Sequence, residues 1–261
     1  MNNKQKIKNQ FGQSAEYYVN SEIHRHGGDL DTLMDMAATK GTESVLDAAT
    51  GSGHTANAIS PLVHKVTAMD LTPEMLRSAE KFIKENARSN VEFVEGDAER
   101  MPFQEESFDI VTCRIAPHHF SNIEDFVQEV YRVLKPGGRF LLDDNVAPED
   151  DELDHFYNKV ERMRDYSHFR AWKKTEWLRM LELNGFDIQE LHRFDKRFEF
   201  EDWCDRMHLS VAEKNNLNHL LTDAAEKIKQ KFQIQSENDR IKSFQGEALL
   251  LSCVKCNREG I

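Results

Sequence analysis

Five short apolar runs separated by helical sequence constrain this fold more than any other feature of the chain. SVLDAA (44–49), KVTAMD (65–70), VEFVEG (91–96), FDIVTC (108–113) and RFLLDD (139–144) each have the length of a strand buried on both faces of a parallel sheet. Helix signals lie between them. Thr72-Pro73 offers an N-cap followed by proline at the first helical position. Met75, Ala79 and Phe82 then recur on one helix face. Ser121-Asn122-Ile123-Glu124 reads as a capping box, followed by the stripe Ile123, Phe126, Val130, Val133 and Leu134 and a stop at Pro136-Gly137-Gly138. Strands alternating with helices predict an open, doubly wound α/β sheet.

Beyond Pro148 the pattern turns helical. Trp177, Met180 and Leu181 precede a glycine stop at Gly185, and Phe186 to Phe194 reads as a strand. Leu217, Leu221, Ala224, Ile228 and Phe232 read as one helix with a core-facing stripe, and GEALLLSCVK (246–255) returns to strand. No repeat or low-complexity linker interrupts the 261 residues. They read as a single domain: a core of about 40–146 plus C-terminal strands, with helical additions at about 1–38, 148–184 and 200–236. The formal charge of −12 argues against DNA, whose recognition rests on Lys and Arg, and against RNA and an anionic membrane surface. No run approaches the length of a membrane-spanning helix, and MNNKQKIKNQFGQ lacks a signal peptide's apolar run, so the expected location is the cytoplasm. Four cysteines suit a reducing compartment. Cys253-x-x-Cys256 has no second ligand pair, so it reads as strand packing and no metal is expected.

The chemistry concentrates in VLDAATGSGHTA (45–56), where a strand runs through Gly51-Ser52-Gly53 into a helix. Glycines there allow a tight turn and close approach of a ligand to the backbone. Gly51-x-Gly53-x-x-Ala56 also fits a dinucleotide fingerprint, which keeps a nicotinamide-dependent oxidoreductase open as an alternative. Asp47, at the end of the first strand, disfavours a pyrophosphate and suits an ammonium or a sulfonium. Asp70 ends the second strand and can accept hydrogen bonds from a ribose diol, and Asp97 follows the third and can accept from an exocyclic amine. Three acids at successive strand ends line one crevice.

With these motifs in hand, the chain resembles the class I S-adenosylmethionine-dependent methyltransferases, in particular the ubiquinone/menaquinone biosynthesis branch and its small-molecule relatives. The resemblance spans about Phe11 to Gly185. It rests on Phe11-x-x-x-Ala15-x-x-Tyr18, VLDAATGSG, AMDLTPEML, VEGDAERMPF, FDIVTCRIAPHHF and VLKPGGRFLL. It implies a Rossmann-like, seven-stranded, mostly parallel sheet with added helices forming a cap, the last strand antiparallel and supplied by GEALLLSCVK. It also implies S-adenosyl-L-methionine as cofactor, held by the Asp47–Thr50–Gly51–Gly53 motif at the methionyl end, Asp70 at the ribose, Leu71, Asp97 and Ala98 at the adenine, and Arg114 alongside. Tyr18 matches an N-terminal motif whose segment closes over the site. One departure is Ala49, where the family carries the first glycine of its motif; an extra methyl at a tight approach costs about 1 kcal/mol. It motivates a second alternative, a non-catalytic protein that binds S-adenosylmethionine.

Methyl transfer from a sulfonium is an in-line displacement that needs position more than acid–base help. A hydroxyl or carbon acid acceptor gains from a base, and His118 and His119, just after the fourth strand, are the candidates. MRDYSHFRAW (163–172) lies where this fold covers the acceptor, and Arg164 and His168 are candidate acceptor contacts, with an internal Arg–Asp network as the alternative. The nearby Phe, Trp and Met side chains predict a small, partly apolar acceptor.

Overall fold

The computed structural model describes residues 2–19 and 28–256, with side chains for 2–12 and 28–256. Two N-terminal helices, α1 (Asn3–Val19) and α2 (Gly28–Ala37), precede the alternating core. The core runs β1 (Ser44–Ala48), α3 (His54–Ile59), β2 (Lys65–Asp70), α4 (Pro73–Glu85), β3 (Val91–Glu95), β4 (Phe108–Arg114), α5 (Ile123–Val133) and β5 (Leu134–Val146). After it come α6 (Asp151–Arg164), α7 (Lys174–Leu183), β6 (Phe186–Glu199), α8 (Phe200–Asp205), α9 (Val211–Thr222), α10 (Glu226–Lys231), β7 (Gln235–Glu237) and β8 (Arg240–Lys255).

The sheet order is β3-β2-β1-β4-β5-β8-β6, with β7 paired to β8. Strands β1 to β5 are parallel, and β8 runs antiparallel to both β5 and β6. The antiparallel strand is therefore the one that carries GEALLLSCVK. The sheet has eight strands where seven are expected. The extra one, β7, is three residues long and turns into β8 through Asn238 and Asp239, both left-handed, as a two-residue hairpin requires. Its short polar sequence carries no alternation to read.

Central strands are buried on both faces, as their continuous apolar runs demand. Val45, Leu46, Ile110 and Val111 have no exposed surface. One face packs Phe126, Val130, Trp177 and Leu181 from α5 and α7; the other packs Leu33, Ile59, Phe82 and Ile83 from α2, α3 and α4. Helix α7 thus belongs to the sheet's covering layer. A third cluster, built on Val160, Trp203, Leu217, Leu221 and Phe244, forms the cap.

Two local expectations change. The stripe 217–232 divides into α9 and α10 because the chain leaves helical geometry at Asp223–Ala225. Leu217 and Leu221 then join the Trp203 cluster, while Ile228 and Phe232 pack near Tyr157. The capping box at Ser121–Glu124 does not form. Asn122 is the N-cap, and Glu99 supplies the acceptor: its Oε1 accepts from Asn122 N (2.7 Å) and Ser121 Oγ (3.2 Å). A carboxylate brought from a neighbouring loop replaces the local one.

Candidate active site

The carboxyl ends of β1, β2 and β4 open onto one cleft, lined by the loop 49–52, by 70–72, by 96–99 and by 114–116. Its first wall is the turn after β1. Ala49 has φ +54°, a left-handed conformation that costs an L-residue about 1–2 kcal/mol. The departure from glycine is therefore accommodated by backbone strain. Gly51 (φ +55°) lines the cleft, and a Cβ there would meet only Met75 Cε, at 3.9 Å. Gly53 (φ +81°) serves packing: a Cβ there would sit 2.9 Å from Ile83 Cδ1 and 3.0 Å from Ala79 Cβ, so α4 could not approach the loop.

Asp47 stands behind this wall. It is 1% exposed and does not line the cleft. Its Oδ2 accepts from Thr50 Oγ1 (2.5 Å) and its Oδ1 from Thr112 Oγ1 (2.7 Å). Burial pushes its carboxyl up to about 6, against these two bonds. Its observed contacts fix Thr50, which lines the cleft. Asp70 does line the cleft. Its Oδ2 accepts from Gly51 N and its Oδ1 from Thr72 N, both at 2.9 Å, while burial raises its pKa. Each oxygen keeps a further lone pair for a ligand.

On the third side, Leu71, Asp97 and Ala98 line the cleft, and Lys4 from α1 reaches Asp97 Oδ2 (2.5 Å) and Glu99 Oε2 (2.6 Å). Lys4, Ile7 and Phe11 all face the cleft, at the spacing of one helix face. Arg114 lies along the floor, nearly buried. It pairs with Asp29 Oδ2 (2.7 Å, through Nη2) and with Asp143 Oδ2 (3.2 Å, through Nε). Burial works against the Asp29 carboxylate, yet Arg114 holds it down at about 2, while burial pushes Asp143 up to about 7. Ile115 follows at φ +54°, an outlier for a β-branched residue at the cleft wall.

The histidine pair divides. His119 lines the cleft, edge-on to Phe11 with ring centroids 5.0 Å apart. His118 turns away: its ring Nδ1 lies 2.5 Å from Asp144 Oδ1, and its backbone N–H donates to Asp144 Oδ2 (2.8 Å). Burial would lower His118, but the Asp144 carboxylate outweighs it and raises the pKa. Burial, then the positive His118, push His119 down to about 4. Arg164 is committed to the cap, donating to Trp203 O (2.9 Å) and lying over the Trp203 ring at 4.8 Å. His168 Nε2 lies 2.9 Å from Asn158 Oδ1. Neither lines the cleft. The side chain of Tyr18 lies outside the described set. Among the described residues no group of His, Cys, Asp or Glu is arranged to hold a metal, and no helix is long and apolar enough to cross a membrane.

Comparison with known proteins bears on this geometry. Residues 46–142 match the methyltransferase-domain family. The chain is 37% identical to YcgJ of Bacillus subtilis, named a methyltransferase, over 246 residues, 94% of this chain and 97% of that one. The chain belongs to the class I S-adenosylmethionine-dependent methyltransferases. The crystal structure of YcgJ matches this methyltransferase with TM-score 0.86 over 89% of its length and all of that chain. BH2331 of Bacillus halodurans C-125, a proposed methyltransferase, matches at 55% identity and TM-score 0.87, over 88% of this chain and all of that one. The demethylmenaquinone methyltransferase of Chlorobaculum tepidum is 37% identical over 114 residues, 43% of this chain and 45% of that one.

The residues of this methyltransferase's cleft fit the chemistry of an adenosyl sulfonium. Two carboxylates, Asp70 and Asp97, stand beside the apolar surfaces of Leu71, Met75, Ala98 and Phe120. Sequence reasoning missed Lys4, His54, Met75, Glu99 and Phe120 as lining residues. The spacing of Lys4, Ile7 and Phe11 carried a signal for the first; the other four lie within the quoted motifs, but nothing local in those motifs says which side chains face the cleft.

Proposed function

We propose that the enzyme transfers a methyl group from S-adenosyl-L-methionine to a small, partly apolar acceptor in the cytoplasm. The observation that carries this reading is one cleft lined together by Asp70, Asp97, the Gly51 turn and His119. Asp70, already oriented by the N–H groups of Gly51 and Thr72, takes the ribose diol with its remaining lone pairs. Leu71 and Ala98 bracket the adenine, and Asp97 accepts from its amine. Asp47 acts through Thr50, and Gly53 acts by letting the loop seat on α4. Arg114 and its two carboxylates keep the floor rigid.

When bound, S-adenosylmethionine supplies an electrophilic methyl group. The chain's own contribution is to align the acceptor, exclude water with the α1 face, and accept a proton at His119 where the acceptor carries one. The cleft wall of Ile7, Phe11, Ile115, Ala116 and Phe120 favours an apolar acceptor body over a polymer.

Two measurements test this. Calorimetry with S-adenosylmethionine and S-adenosylhomocysteine should give saturable binding, and Asp70→Ala should weaken it by about 1.5–3 kcal/mol, the loss of hydrogen bonds to a charged acceptor. No heat at millimolar ligand defeats the reading, and unchanged affinity in the variant removes Asp70 from the ribose. Transfer of a labelled methyl group to a panel of small phenols, quinols and carboxylates should reveal an acceptor, and His119→Gln should cut turnover while sparing cofactor affinity.

A further inference from the structure

The loop between α6 and α7 carries polarity that the cofactor does not use. His118 O accepts from Phe169 N (2.9 Å) and Arg170 N (3.0 Å), which docks this loop on the Pro117–His119 turn. Ser167 is fully buried and Asp165 nearly so. Ser167 N donates to Asp165 Oδ1 (2.8 Å), and Ser167 Oγ donates to the same oxygen (2.5 Å). His119 Nδ1 lies 3.2 Å from Ser167 O and 3.3 Å from Ser167 Oγ.

A hydroxyl has one hydrogen, and here Asp165 holds it. Both Ser167 oxygens therefore face His119 Nδ1 as acceptors, and an N–H at Nδ1 pairs with them where a lone pair would be repelled; Ser167 O accepts in addition from Asn3 Nδ2 (3.4 Å). Among the described residues Nε2 has no hydrogen-bond partner; Asp165 Oδ2 stands 4.0 Å from it.

We propose that Asp165 and Ser167 are positioning residues that hold His119 as its Nδ1–H tautomer, so that Nε2 carries the lone pair that takes the acceptor's proton. This rests on the reading of His119 as the base. In that step the acceptor's O–H or C–H bond breaks, an Nε2–H bond forms, and the electron pair of the broken bond stays on the acceptor atom. The new positive charge then lies beside the Asp165 carboxylate. The other charged or titratable groups around His119 are His118 on its own turn, Asp144 on β5 and His168 on the same loop; α1 contributes the neutral Asn3 and Phe11. Docked in this way, the cap loop sets the base.

The test needs no acceptor. In the full chain with 15N-labelled histidine, long-range proton–nitrogen spectra report the tautomer of each ring, and His119→Gln assigns the signal. The wild type should show Nδ1–H. Asp165→Ala frees the Ser167 hydrogen to point at Nδ1, and the tautomer ratio should move roughly tenfold toward Nε2–H, as one neutral hydrogen bond changes sides. Asp165→Ala with Ser167→Ala should restore Nδ1–H, because only the carbonyl remains. Asp165→Asn, which preserves shape, should lower the titration midpoint of His119 by about half a unit or more. An Nε2–H wild type, or an unchanged tautomer in Asp165→Ala together with an unchanged midpoint in Asp165→Asn, overturns the proposal. Full turnover in His119→Gln would instead remove the base and leave the tautomer result standing, so the two readings fail separately.

Discussion

The two glycines of the turn after β1 look equivalent in sequence, yet they do different work. Gly53→Ala meets both strain at φ +81° and contacts of 2.9 and 3.0 Å with α4, so it should destabilise the fold by about 2–4 kcal/mol. Gly51→Ala meets strain alone and should cost about 1–2 kcal/mol. Its methyl group stands in the cleft, so it should also weaken cofactor binding, an effect that Gly53→Ala produces only through loss of folded protein. Urea melts and calorimetry on the two variants separate these cases. The histidine pair gives a pH signature. His119, lowered to about 4 in the fold against an unfolded value near 6.5, binds a proton in the unfolded chain first. Its contribution is present above pH 6.5 and is lost as pH falls through 4. Buried His168, also lowered, acts in the same direction, while Asp47 and Asp143, raised by burial, act in the opposite one. The net slope mixes these four with the other shifted groups, among them His118, Asp70 and Glu161, all raised, and Asp29, lowered. The slope difference between wild type and His119→Gln isolates one of them: the variant should lose less stability between pH 6.5 and 4, by about one proton's worth of slope in urea melts.

At the scale of elements, α1 is the roof of the cleft and its hold is electrostatic at one end. Lys4 pairs with Asp97 and Glu99, but its side chain is 37% exposed, so the pairs contribute at most about 1 kcal/mol. Lys4→Gln should leave the melting temperature nearly unchanged while raising amide hydrogen exchange in 3–12, and added salt should mimic it in the wild type. Unchanged exchange would show that the remaining contacts of α1, the Asn3 hydrogen bond to His119 O and the packed Ile7 and Phe11 among them, suffice to hold the helix. Helix α5 illustrates the reverse dependence. Its start is fixed by Glu99, from a loop that also lines the cleft, so one side chain joins the helix to the site.

Across the whole molecule the sheet layers and the cap are separate apolar clusters, and this division is testable. Trp177 is fully buried between α7 and the sheet, so Trp177→Ala should cost about 3–5 kcal/mol of global stability. Trp203 anchors the cap cluster with Val160, Leu217 and Phe244. Trp203→Ala should open 200–222 and the end of α6 that packs on it first, visible as hydrogen exchange confined there before global unfolding. Uniform exchange in that variant would mean that cap and sheet unfold together. The amino-acid sequence by itself determined the alternating core, the covered parallel strands, the glycine turn and the acids at the ends of β1 and β2 and after β3, because each is written in local periodicity or in a backbone requirement of a few residues. Tertiary structure alone decided that Asp47 stands behind the wall while Asp70 and Asp97 face the cleft, that His119 turns inward and His118 outward, that Glu99 replaces a local cap, and that the stripe at 217–232 breaks in two. Those outcomes depend on which distant groups arrive beside a side chain, and no window along the chain contains that information.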